Sequence, residues 1–201
     1  MIVDWLLAAG KAFVAIAPVE LPDKTFVATL VLATRYRPLT VWLGVATAFA
    51  VHSAIAVAAG SLVSLLPATP VRLVAAGLFA VGAIIMLREA RRSEPSSEEE
   101  QEYEAKLRTR TGAAAYGASF LLLFTAEWGD LSQLFTMGLV ASGEPPVAVF
   151  AGAWLALAAV SGTAVLVGRW LLRHVRLSIV RYLAAAVCAA LAVLTALSAI
   201  G

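Results

Sequence analysis

Four carboxylates interrupt stretches that are otherwise apolar. They come as two pairs, Glu20-Leu21-Pro22-Asp23 and Glu127-Trp128-Gly129-Asp130. Residues three apart share one face of a helix, so each pair presents two carboxylates together. Four carboxylates around one point form a hard oxygen site, suited to calcium, manganese or magnesium rather than to a soft metal. Thr25, Ser132 and Gln133 add neutral oxygens beside the pairs, the other reading of Thr25 and Ser132 being a hydroxyl bonded back to its own helix, and Lys24 adds one cation. Pro22 has no N–H, so the carbonyl of Pro18 loses its helical partner, and Pro18 does the same to Val14. Gly129 loosens the matching place in the second motif.

The elements that must carry these groups are membrane helices. The chain has 201 residues, 61% of them hydrophobic and only 14% charged, where a soluble domain is about half apolar and a quarter charged. Apolar runs give six expected spans: Ala8–Ala33, Val41–Leu62, Pro70–Leu87, Ala113–Val140, Val147–Val167 and Ile179–Ile200. Asp23 lies midway between Lys11 and Arg35, and Glu127 midway between Arg110 and Glu144. Both motifs therefore fall near mid-membrane, where each charge costs roughly 2.5–3.5 kcal/mol. Such groups persist where they face one another, an ion or a water cavity.

The two halves read as repeats. Aligning the motifs brings Gly44 to Gly152, Ser53 to Ser161, Gly60 to Gly168 and Arg72 to Arg181, with slips of one or two residues. Small residues at matching places allow close helix packing. Each half holds three spans, an odd number, so the second enters the membrane from the opposite side. The expected fold is an all-α integral membrane protein of six transmembrane helices in two inverted three-helix repeats. Residues 1–89 form the first repeat, 90–111 a charged cytoplasmic linker and 112–201 the second repeat. Of the 15 basic residues, 12 fall in loop 1–2, the central stretch or around loop 5–6. The positive-inside rule then puts the central loop in the cytoplasm and both termini outside, in the plasma (inner) membrane.

The motifs resemble those of the GDT-type cation/proton exchanger family, which carries E-x-G-D-[KR]-[ST] once in each half around a charged central loop. The resemblance covers nearly the whole chain. The first copy departs from the pattern at Pro22 and the second at Leu131. It implies that Glu20, Asp23, Glu127 and Asp130 bind the cation; Lys24, Thr25, Ser132 and Gln133 read as supporting groups from their place beside the pairs. The expected function is antiport of manganese, or calcium, against protons, with manganese efflux as its use. The cargo is then the ion and protons, with no prosthetic group and no enzyme activity. The other partner is the lipid bilayer; a homo-oligomer is compatible. Four carboxylates and Lys24 sum to −3, so a divalent ion leaves −1. One carboxylate is therefore expected to stay protonated, or a second cation to share the site.

Other features read more plainly. The net charge of +2, with clustered charges, gives nucleic acid no basic face. Cys188 stands alone, so no internal disulfide forms. The acidic start argues against a signal peptide, despite Ala15-Ile16-Ala17. Glu98–Glu104 matches no calcium loop and reads as a solvated linker. His174 reads as exposed. His52 reads as packed or hydrogen-bonded, with proton relay as the other option. Trp5, Tyr36, Trp42, Tyr116, Trp170 and Tyr182 read as an interfacial belt. Trp128 either walls the ion site or faces lipid or a helix. Two competing functions are an accessory subunit without transport, which leaves the mid-membrane charges unexplained, and an aspartyl intramembrane protease using Asp23 and Asp130. The protease leaves Glu20 and Glu127 without a role.

Overall fold

The structure, a computed structural model, describes residues 2–21, 23–91, 111–174 and 177–200, apart from the side chains of residues 24, 168–174 and 177. The described residues are helical and contain no strand. In chain order the helices are α1 (Ile2–Glu20), α2 (Lys24–Arg35), α3 (Pro38–Val63), α4 (Ala68–Ala90), α5 (Ala113–Ala126), α6 (Leu131–Ala141), α7 (Pro146–His174) and α8 (Leu177–Ile200). Five of them, α1, α3, α4, α7 and α8, are long and apolar enough to cross a membrane. The outside of the molecule is apolar as well: Val51, Ile55, Leu155, Leu166 and Leu183 are exposed. In water such patches would be a liability; against lipid they are at home.

The two expected spans Ala8–Ala33 and Ala113–Val140 are not continuous helices. The first divides into α1 and α2, the second into α5 and α6. Neither α5, with 14 residues, nor α6, with 11, is a spanning helix by itself, since about 20 residues are needed to cross the hydrocarbon. Each half thus runs as broken helix, long helix, long helix. The breaks fall on the acidic motifs, where proline or glycine sits among polar side chains.

Packing crosses between the halves. The broken helix α1/α2 lies on α7, while α5/α6 lies on α3; α3 meets α7, and α4 pairs with α8. Gly44 of α3 lies against α5 so closely that a Cβ there would stand 2.7 Å from the Tyr116 carbonyl oxygen. Gly152 of α7 lies against α1 in the same way, and a Cβ there would run into the Ala9 carbonyl oxygen. The repeat register equates Gly44 with Gly152 and Tyr116 with Ala9, so one crossing occurs twice. Tryptophan indoles tie α3 to α7 in both directions: Trp42 Nε1 donates to the Ala158 carbonyl (2.9 Å) and Trp154 Nε1 to that of Ala46 (3.0 Å). Trp42 is therefore a helix-crossing residue, and Tyr36 is buried in the core between α1, α3, α5 and α7. Both side chains are engaged within the protein, whereas Trp5, Tyr116 and Tyr182 are exposed. The Trp170 and His174 side chains, the Glu98–Glu104 run and most of the 90–111 linker lie outside the described residues.

Candidate cation site

Glu20 closes α1, and Asp23 stands at the N-cap of α2 with extended backbone, φ −88° and ψ 166°. Glu127 caps the C-terminus of α5, and Asp130 is the N-cap of α6 with φ −72° and ψ 164°. Aspartate at an N-cap ordinarily accepts a hydrogen bond from the first turn. Neither Asp23 nor Asp130 caps in this way. In both motifs the glutamate sits at a helix C-terminus, where carbonyls run out of partners, and the aspartate opens the next helix.

The two breaks meet. One carboxylate oxygen from each of Glu20, Glu127 and Asp130 lies within 4.8 Å of the other two. Oxygens bind calcium at about 2.3–2.6 Å, so oxygens on opposite sides of one ion stand up to roughly 5 Å apart. The trio is thus close enough to touch a single divalent ion. Glu20 and Glu127 are buried, while Asp130 is half-buried. Thr25 Oγ1 donates to Glu20 Oε2 at 3.0 Å, and the Ser132 hydroxyl also lies against this carboxylate. The other Glu20 oxygen, Oε1, is buried with no hydrogen-bond partner among the described residues. A buried carboxylate oxygen without a donor is costly unless a cation or proton meets it.

Of the eight residues singled out from the sequence, the structure unites Glu20, Glu127 and Asp130, with Thr25 and Ser132 at their edge. Thr25 turns to the carboxylate rather than back onto its helix. Asp23 is partly buried and stands outside the trio. The Lys24 side chain lies outside the described residues. Gln133 turns its oxygen elsewhere: Oε1 accepts from the Gly129 N–H at 3.0 Å.

His52 is hydrogen-bonded, as its sequence reading expects, but the sequence does not reveal its partners at the second break. His52 Nε2 donates to the Phe124 carbonyl at 2.9 Å, and the Gln133 amide donates to His52 Nδ1. Both ring nitrogens are thus occupied by neutral groups. A cavity of about 10 Å3 is lined by His52, Ser53, Glu127, Ser132, Gln133 and Thr136, among others. It has room for roughly one water. Ser53 Oγ is buried beside it without a hydrogen-bond partner among the described residues. In the sequence Ser53 reads as a small residue matched to Ser161; in the fold its hydroxyl faces this cavity.

The family model described as "Divalent cation/proton antiporter GDT1" matches residues 8–94 and, again, 115–201. This chain belongs to the GDT1 family. A GDT1-like protein of Synechocystis sp. is 30% identical over 68% of this chain and 70% of its own length. A chloroplastic GDT1-like protein 1 of Oryza sativa subsp. indica is 31% identical over 92% of the chain. The PAM71-homolog protein of Arabidopsis thaliana chloroplasts is 27% identical over 87% of the chain. The matches span 60% of the rice protein's length and 55% of the Arabidopsis protein's length. No solved structure matches.

Proposed function

We propose that this GDT1-family protein exchanges a divalent cation, manganese or calcium, for protons, and that Glu20, Asp23, Glu127 and Asp130 form the transport site. The observation that carries this reading is the meeting of Glu20 with Glu127 and Asp130, three carboxylates from two distant motifs. Hard oxygens favour hard divalent ions. Crowded carboxylates also accept protons in place of metal, which makes the two cargoes competitors for one set of oxygens. Metal entry expels protons, and proton entry expels metal.

Two inverted three-helix repeats fit this cycle, each broken helix completing one spanning path. The family model's double match and the twice-made glycine crossing support that arrangement. Rocking of one repeat against the other would open the site to each side in turn. A cytoplasmic central loop and outer termini in the inner membrane rest on the basic-residue distribution, and manganese efflux is the use that the family resemblance suggests. A protease dyad makes no use of Glu20 and Glu127, which stand at the centre of the site.

Reconstitution into liposomes with an imposed pH gradient tests the proposal. Manganese or calcium should enter against the proton flow. Failure of both ions to move, or parental transport by Glu20→Gln and Asp130→Asn, overturns it.

A further inference from the structure

The two breaks solve the same backbone problem with different residues. In the first, the Ala17 carbonyl receives the Leu21 N–H at 3.1 Å. The next residue is Pro22, which has no N–H to satisfy. In the second, Phe124 lies in the last turn of α5, where helical donors run out. Gly129 replaces the proline, turns through φ +75° and brings an N–H that needs an acceptor. His52 and Gln133 serve both groups. The Phe124 carbonyl takes His52 Nε2–H, His52 Nδ1 takes the Gln133 amide, and Gln133 Oε1 takes the Gly129 N–H. The chain permits one assignment of protons. The carbonyl demands a donor at Nε2, so neutral His52 accepts at Nδ1, and the Gln133 oxygen is left for Gly129.

The repeat register places Phe26 at the position of Gln133 and Val160 at that of His52. Phe26 and Val160 are packed together in an apolar cluster with Ala164. The bridge between neighbouring helices is therefore present in both halves, apolar in one and hydrogen-bonded in the other. We propose that His52 and Gln133 are positioning residues that hold the second break in the shape that brings Glu127 and Asp130 to Glu20. The anchored points, Phe124, Gly129 and Gln133, bracket both acidic residues. Through the clamp, α3 of the first half sets the geometry of the ligands of the second. The inference rests on the reading of the carboxylate trio as the cation site.

The test compares His52→Val, Gln133→Phe, the double variant, which copies the first half's apolar pair, and His52→Gln, which keeps a donor for the Phe124 carbonyl. Each is reconstituted, and the manganese concentration for half-maximal uptake is measured beside the melting temperature in detergent. Loss of second-sphere support typically costs 10–100-fold in metal affinity. Half-saturation should rise by about 10-fold or more in His52→Val, Gln133→Phe and the double variant. The double variant should melt below the parent, since it leaves the Phe124 carbonyl without its donor, and His52→Gln should recover part of both losses. Should the single variants fail to fold, the double variant carries the same comparison. Parental half-saturation in the double variant would show that the pair is packing alone and would overturn the inference. Glu127→Gln separates the two readings. If it transports like the parent, the cation-site reading falls. If it fails while the double variant is parental, only the clamp falls.

Discussion

The first and second breaks carry the same glutamate and aspartate but are built from different materials. Around the first, Phe26, Val160 and Ala164 pack with Ala17 and Leu21. Around the second, a glycine turn is held by a histidine and a glutamine. Trp128 stands exposed beside it, edge-on to Phe124 and His52. Apolar packing has no direction and tolerates small shifts, whereas a hydrogen-bond chain is satisfied at one geometry. The carboxylates recur in both halves, while what surrounds them differs. Their placement is unequal too, since Glu20, Glu127 and Asp130 meet while Asp23 lies outside that trio.

The largest expected effect tests that inequality. Glu20→Gln, Glu127→Gln and Asp130→Asn should each lower manganese uptake by roughly 100-fold or more, and Asp23→Asn by less. Equal losses at Asp23 and Asp130, measured in the same vesicles, would break the asymmetry. Next, Phe26→Ala should destabilise the protein by about 3–5 kcal/mol through the cavity it leaves. Half-saturation by manganese should stay near parental, because the first break is held by bulk rather than by donors. A melting curve and an uptake titration on one preparation read both. Gly129→Ala should cost about 1–2 kcal/mol, since φ +75° is left-handed. No neighbour would meet the added Cβ, so the penalty is conformational. An unchanged melting temperature would show that this turn is not needed. Smallest, Leu131→Lys gives the second motif the cation that Lys24 gives the first. An added positive charge eases proton release, so the pH optimum of uptake should move toward acid. An unmoved optimum would remove charge from the comparison.

Much of the candidate site is legible in the sequence because its signals are local. A glutamate and an aspartate three apart in an apolar run announce themselves, and proline or glycine between them forecasts an interrupted helix. Four expected spans also reappear within a few residues at most ends, as α3, α4, α7 and α8. What stayed hidden depends on which helices touch. Gln133 looked like a ligand because it follows Asp130; only the approach of α3 turns it to His52 and Gly129. Trp42 and Tyr36 looked interfacial from their place near span ends, but the crossing of α3 with α7 and the core beside α1 absorb them. Asp23 and Asp130 share a motif position and an N-cap conformation, and nothing along the chain tells which joins the trio.

The cavity beside Glu127, at about 10 Å3, has a consequence for which ions can use it. A hexahydrated ion does not fit a space for one water. An ion that reaches this point must have exchanged its shell for protein oxygens. Magnesium surrenders water reluctantly and holds to strict octahedral geometry, whereas calcium accepts irregular shells. If Glu127 takes part in transport as proposed, a space this narrow would favour an ion that sheds its water readily, calcium over magnesium.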